Sequence, residues 1–408
     1  MDGADRAGAL RTGFLFTICT DSYGADVHVL RYSGAGSIFV AAWPKTSPIF
    51  NESDKLMPDT YKIEIVGAAS LRGKELNDAL SESSFGSADF LLMDDDTALG
   101  QLESVGDEVT FIQRIEPNSF VGVDFVFFAG SEDVTRKHWH NAQKAGASII
   151  DLSNALESEP KILVRAPWVQ DEMREKVNGG AARSTPDLRT PAVVPAHPVA
   201  VALALLLLRA KNVSGIRSAS ATVLEPASEY GRASMDELHQ QTVSLLSFQS
   251  LPKEMYDAQV AFNLLPSLGE SAKVHLGASE ARIRRHYAEL SASHLPELAI
   301  QLLHAPVFHG YGISLALELD EPVSLEHLEA ALNSDHLDVV LGDSDPPSNL
   351  SSAGQEDVLV RVRTADGSEL ATRRFWVWAA VDNLKLAALN ALACAQELRR
   401  LRPHGKVQ

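Results

Sequence analysis

Cysteine is nearly absent from this chain: Cys19 and Cys394 are the whole complement in 408 residues. Two thiols so far apart supply neither a disulfide scaffold nor a four-thiolate metal site, so a reducing cytoplasm is the expected setting and no metal is expected. No run reaches the ~18 apolar residues that a membrane span needs. The longest, Val199 to Leu208, reads as a buried helix. Positive charge is also short, with 36 Lys and Arg against 54 Asp and Glu and a net charge of −18. Nucleic acid and anionic membranes repel such a surface, and neither is expected as a partner. The apolar patch Phe14–Cys19 is a poor secretory signal, because Asp2, Asp5 and Asp21 surround it instead of basic residues.

What remains is the balance of a globular protein, 45% apolar and 22% charged, long enough for two or three domains. Tyr61 to Val66 reads as a buried strand, Gly67 to Gly73 as a tight turn, and Gly73 to Ser81 as a helix. Phe90 to Met93, Gly122 to Gly130 and Ala147 to Leu152 read as further strands, with a helix over Val134 to Ala145. Strands alternating with helices at this spacing predict a parallel, doubly wound sheet, with ligands at the carboxyl ends of its strands. Asn178 to Pro191 has the composition of a loop, and Asp343 to Gln355 that of a flexible insertion. Ser214 to Leu224 opens a second domain as a strand. Met235 to Leu246 is amphipathic, Leu315 to Leu319 and Val358 to Arg363 read as strands, and Asp382 to Leu401 as a long helix.

Several segments, in this order, carry a resemblance. They are Tyr61 to Gly73, Ala261-Phe262-Asn263-Leu264-Leu265-Pro266, His304-Ala305-Pro306-Val307-Phe308-His309-Gly310-Tyr311, Val381-Asp382-Asn383-Leu384 and Ala387 to Ala391. Together they resemble the aspartate-semialdehyde dehydrogenase family from about Tyr61 to Arg400. The resemblance implies an α/β fold: an N-terminal Rossmann-like doubly wound parallel sheet plus an α+β dimerisation domain. It implies an unmatched extension over 1–58, a dinucleotide-binding domain over 59–195, a catalytic-like and dimerisation domain over 196–380, and a C-terminal helix over 381–408 returning to the first domain. Nothing before Met57 matches the family. Met57 is therefore expected to be the true start, or the leader to be a loosely attached extension.

The family pattern Gly-Ala-Thr-Gly-x-Val-Gly meets Gly67-Ala68-Ala69-Ser70-Leu71-Arg72-Gly73 here. The resemblance implies that Gly67, Ala69, Ser70, Leu71, Arg72 and Gly73, with Gly130 and Ser131 of the second turn, hold NADP or NAD. Ser70 replaces the middle glycine, where its Cβ can crowd a phosphate or its hydroxyl can bond one. A structural turn that binds nothing is the plain alternative. Glu132 brings negative charge to the same place.

The family's phosphate-holding arginine is matched by Glu157, a reversal of charge. Its nucleophilic cysteine, in Asn-Pro-Asn-Cys, is matched by His197 in Val194-Pro195-Ala196-His197, a residue that serves equally as a neutral cap. Neither Cys19 nor Cys394 falls at that position. The substrate-carboxylate arginine and the general-base histidine, seven residues apart in the family, are matched by His304 and Tyr311. Tyrosine, with a reference pKa of about 10, is a weak base at neutral pH. His309 is a tempting substitute that would share a strand face with Tyr311, or simply a packed histidine. Glu229 and Arg232 fall near the expected pocket, or form a surface pair.

With nucleophile, base and both anion-binding arginines replaced, the chain resembles the non-catalytic paralogues of this family. The expectation is a catalytically silent homodimer, with an active paralogue as the other partner to consider. The alternative is an NAD(P)-dependent oxidoreductase acting on an aldehyde or oxo group in amino-acid biosynthesis.

Overall fold

The structure is a computed structural model, and it describes residues 19–20, 26–27, 60–95, 99–106, 108–176, 185–187, 189–342 and 344–401. The chain divides into two units, Met1–Met57 and Pro58–Gln408. In the first, β1 (Cys19–Thr20) pairs antiparallel with β2 (Asp26–Val27). The expectation for Met57 as a start falls outside the described residues, as does most of the loop expected over 178–191.

The second unit opens with β3 (Lys62–Val66), α1 (Leu71–Ser81) and β4 (Asp89–Asp94). The hairpin β5 (Leu102–Val105) with β6 (Glu108–Phe111) follows, then β7 (Gln113–Arg114), β8 (Phe125–Phe128), α2 (Glu132–Ala145) and β9 (Ser148–Asp151). Next come β10 (Leu163–Arg165), α3 (Pro167–Lys176) and β11 (Val193–Pro195). The seven strands β10-β11-β9-β8-β3-β4-β7 form one sheet, parallel throughout. Its inner strands are buried on both faces, which is why Phe125–Phe128 is an unbroken apolar run. The chain leaves β3 for β4 on one side and returns to β8 on the other. That switch point places the turns after β3 and β8 side by side, where open parallel sheets bind ligands.

The apolar helix α4 (Pro198–Lys211) leads into β12 (Ile216–Glu225), a 3-10 turn at Ala227–Tyr230, α5 (Arg232–Leu246), α6 (Leu276–Ser291) and β13 (Ala299–His304). The chain continues through β14 (Tyr311–Val323), α7 (Leu325–Leu332), β15 (Leu337–Val339), β16 (Val358–Thr364), β17 (Thr372–Val381) and α8 (Asn383–Leu401). A mixed sheet of order β13-β12-β14-β17-β16-β15 results. The observed architecture is thus a Rossmann-like parallel sheet and a mixed sheet with helices. Helix α8 packs on α1, and its Ala388, Ala391, Ala395 and Leu398 join the core of Ile63, Ile65, Phe125 and Phe127. Among the described residues no helix is long and apolar enough to cross a membrane.

Two local expectations change. Helix α1 begins at Leu71, two residues early, because the Ser70 hydroxyl caps it by accepting the Gly73 N–H at 2.9 Å. The segment read as a flexible insertion is tied down instead. The Gly354 N–H donates to Asp382 at 2.7 Å, and the Trp378 indole N–H to the Pro347 carbonyl at 2.9 Å. Backbone groups of the segment make these contacts to β17 and to the residue that precedes α8.

Glu64 lies in the central strand β3, fully buried, with neither carboxylate oxygen hydrogen-bonded. Burial raises its pKa to about 7, against a smaller opposing pull from Lys62. A raised folded-state value stabilises fully below the unfolded value near 4.5 and is lost as pH rises through 7, a swing of up to about 3 kcal/mol. Glu64→Gln is therefore expected to stabilise the protein at pH 8 and to change it little at pH 5, read by urea denaturation at both values.

Candidate functional site

Helix α4 is buried on every side, so its first turn must find donors and acceptors inside the protein. His197 is its N-cap and Pro198 its first residue. The His197 ring Nδ1 accepts the Val199 N–H at 3.2 Å. In the neutral ring this leaves the proton on Nε2, an assignment made from the hydrogen bonds. Burial lowers the His197 pKa to about 3, against a smaller opposing pull from Glu229. The ring is therefore neutral at physiological pH, as a helix N-terminus requires.

His197 Nε2 lies 3.3 Å from the Tyr311 hydroxyl and 3.8 Å from Glu229 Oε1. Tyr311 is fully buried, and burial, then Glu229 and Glu225, push its pKa well above 10. Glu229 keeps its charge. Burial is the largest influence and pushes its pKa up, but Arg72 and the smaller pulls of its other neighbours together outweigh it. Arg72 donates to Glu229 Oε1 at 2.8 Å and to the Glu229 carbonyl at 3.1 Å. His197 thus touches both Tyr311 and Glu229, and Arg72 meets Glu229 from the other side.

The turn after β3 supplies that arginine. Gly67, at φ +87°, packs its Cα against Gly130 of the turn after β8, and a Cβ on Gly67 would stand 2.3 Å from Gly130 Cα. A Cβ on Gly73 would stand 2.2 Å from the Gly67 carbonyl oxygen. Ser70, besides capping α1, donates to the Ala129 carbonyl at 3.0 Å. Its hydroxyl is therefore committed to the fold rather than offered to a phosphate. Ser131 caps α2, accepting from Val134 at 3.4 Å.

A cleft of about 430 Å³ opens beside these turns. Ser70, Leu71, Arg72, Gly130 and Ser131 line it, while Gly67, Ala69 and Gly73 stand behind it as support. The first turns of α1, α2 and α6 all reach it. The first turn of α1 carries no acid, and its leading N–H groups lack helical partners, so these residues fit the pyrophosphate half of a dinucleotide. Glu132 repels such a ligand less than its charge suggests, because Arg136 at 2.8 Å and Arg282 at 3.2 Å pair with it. Asp94, at the end of β4, accepts the Ala69 N–H at 2.8 Å. His197 does not line the cleft. It borders a separate space of about 20 Å³, and Arg72 and Glu229 line both, forming the wall between them.

The other candidates scatter. Glu157 is half-buried and bonded by Arg282 at 3.1 Å, by His286 at 3.0 Å and by Arg285. Burial raises its pKa, but the His286 hydrogen bond and then Arg282 and Arg285 outweigh it and hold the value at about 2. His304 is buried against Tyr256 with both ring nitrogens unpartnered, and it does not line the cleft. His309 shares no strand face with Tyr311. Gly310, at φ +83°, turns the chain between them, so His309 bonds Asp382 at 2.9 Å while Tyr311 meets His197. Arg232 is exposed at the start of α5 and neither lines the cleft nor pairs with Glu229. The buried Cys394 thiol is pushed up in pKa by its surroundings. Among the described residues no group of three His, Cys, Asp or Glu could hold a metal ion.

Helix α6 supplies what the sequence reading omitted: Arg282, Arg285 and His286, with Lys273 and His275 just before it on the cleft wall. The spacing of Leu276, Ile283, Tyr287 and Leu290 would have revealed this helix, and Arg282-x-x-Arg285-His286 its basic face.

A sequence profile described as "Semialdehyde dehydrogenase, NAD binding domain" matches residues 62–180, and one described as "Semialdehyde dehydrogenase, dimerisation domain" matches 205–386. A protein named USG-1 protein homolog from Azotobacter vinelandii is 32% identical over 350 residues, 84% of this chain and 98% of that protein. Aspartate-semialdehyde dehydrogenase from Rickettsia bellii is 26% identical over 347 residues, with the same shares. A solved structure of a probable aspartate-semialdehyde dehydrogenase from Pseudomonas aeruginosa superposes with a TM-score of 0.71 at 27% identity, covering 83% of this chain and 98% of that one.

The pair between Arg72 and Glu229 is nine-tenths buried on the carboxylate side. Arg72→Ala leaves that buried carboxylate without its cation and is expected to cost about 3 kcal/mol, read as a fall in thermal midpoint. Glu229→Gln, which keeps hydrogen bonding, is expected to cost less.

Proposed function

This chain belongs to the semialdehyde dehydrogenase family, and from that premise we propose that it is a catalytically silent relative of aspartate-semialdehyde dehydrogenase. It keeps the dimeric scaffold and dinucleotide binding. The observation that carries this reading is the state of His197. Its Nδ1 lone pair is spent on the helix cap, its Nε2 carries the proton, and the Arg72–Glu229 pair stands between it and the cleft. A ring in that state is neither nucleophile nor base. Tyr311, with its pKa far above neutrality, does not replace the base.

The protein is proposed as a homodimer in the cytoplasm, with a dinucleotide-binding domain over 59–195 and the dimerisation domain over 196–380. Val243, Leu246 and Phe248, exposed at 48%, 70% and 98%, supply apolar surface at the end of α5 for a second copy or for an active paralogue. A redirected oxidoreductase acting on an aldehyde or oxo group is the second reading. What favours it is the cleft itself, with Tyr230, Lys273 and His275 on its wall beside the dinucleotide turn.

Two measurements separate these. The full chain, from a host lacking its own enzyme, is expected to give no phosphate-dependent reduction of NADP by aspartate semialdehyde above a boiled control. A panel of aldehydes and oxo acids with NADH or NADPH is likewise expected to be inert, and turnover with any of them would favour the second reading. NADH is nevertheless expected to bind in a fluorescence titration, about tenfold tighter than NADPH. The Asp94 carboxylate at the end of β4 can bond a ribose diol and repels a 2′-phosphate.

Restoring the family residues tests the same reading from the other side. The double variant His197→Cys, Tyr311→His is expected to stay at least about 10³-fold below an active family enzyme. A thiol there would face the charged Glu229, which raises its pKa and withholds the thiolate. Turnover near that of an active enzyme would show that Arg72 and Glu229 do not close the site.

A further inference from the structure

Three donors on one face of α6 converge on a single point. Arg282, Arg285 and His286 stand at i, i+3 and i+4 of the helix and therefore project together. Arg282 Nε and His286 Nε2 share one Glu157 oxygen, at 3.1 and 3.0 Å, and Arg285 takes the other. Two guanidinium groups with an imidazole N–H form a socket suited to a tetrahedral oxyanion such as phosphate or sulfate. The chain fills this socket from the opposite sheet. Asp151, buried at the end of β9, accepts the N–H groups of Ser153 and Leu156 at 2.9 Å each, and so fixes the turn that presents Glu157. Its carboxylate side chain is only 11% exposed.

The rest of the wall shows that the position is built. His286 uses its other nitrogen, Nδ1, to accept the His197 N–H at 2.9 Å, which fixes the ring with Nε2–H aimed at Glu157. Arg282 lines the cleft and is held from its far side by Glu132 at 3.2 Å. The socket is thus rigid and basic, and of its members Arg282 lines the cleft.

We propose that Glu157 is a tethered anion: it occupies an oxyanion socket made by Arg282, Arg285 and His286, which meets the cleft at Arg282, and so excludes inorganic phosphate from that socket. A tethered carboxylate meets the socket at a local concentration that no millimolar solute matches. The inference does not rest on the silent reading, since it concerns binding alone.

The test is phosphate binding by the full chain, followed by calorimetry and by thermal denaturation. Wild type is expected to show no saturable binding of millimolar inorganic phosphate and no shift of its midpoint. Glu157→Ala is expected to melt lower, to bind phosphate at least about tenfold more tightly than wild type, and to recover part of its lost midpoint when phosphate is added. Adding Arg282→Ala and Arg285→Ala to that variant is expected to abolish the gain. If Glu157→Ala does not fold, Glu157→Gln carries the test: an amide lacks the charge that holds both arginines, and phosphate is expected to raise its midpoint. Saturable phosphate binding by wild type, or no gain in either Glu157 variant, would overturn the proposal. So would a gain that survives loss of both arginines.

Discussion

Helix α4 is the constraint on which the rest depends. It is apolar around its whole circumference and sits where α3, α6, α7 and α8 and strands β12 and β17 all press on it. Water is excluded from its N-terminus, so its leading N–H groups take partners from side chains. His197 answers that need with its ring, and its own N–H is taken by His286. A residue so engaged at both ends is part of the scaffold, and everything bonded to it becomes rigid by extension. Tyr311, Glu229 and Arg72 follow on one side, His286 and Glu157 on the other.

The two carboxylates in this network do the work of joining the sheets. Glu229 follows the mixed-sheet strand β12 and meets an arginine from the first turn of α1. Glu157 follows the parallel-sheet strand β9 and meets two arginines and a histidine from α6. Each crosses the junction in the opposite sense. Buried pairs of this kind contribute little net stability over apolar packing, yet losing one partner is costly, so they fix geometry more than they add free energy.

Much of the fold was legible because burial writes itself into sequence. Strand β8 is an apolar run, β3 and β9 carry paired or alternating isoleucines, α4 is almost wholly apolar, and α8 shows helical spacing. Helix α6 was harder to read, because three arginines and a histidine crowd its middle and only four apolar residues keep the period. That omission removed the partners of Glu157, whose charge therefore looked like a defect. The meeting of His197 and Tyr311, 114 residues apart, could be anticipated only from family order. Contacts such as Arg72 with Glu229 were beyond reach, since neither periodicity nor composition says which arginine faces which carboxylate. His309 was misplaced for a local reason: the left-handed turn at Gly310 reverses which way its neighbours point.

The interlock of Gly67 with Gly130 bears on how such chains are recognised. The two turns touch backbone to backbone, and a side chain on Gly67 would collide with the neighbouring turn before any ligand arrived. A glycine signature at the end of a first strand is ordinarily taken as the mark of a nucleotide. Here the collision alone is enough to demand it. A descendant that had abandoned its cofactor would still be unable to discard these glycines without rebuilding both turns, and would go on bearing the signature of a molecule it no longer meets.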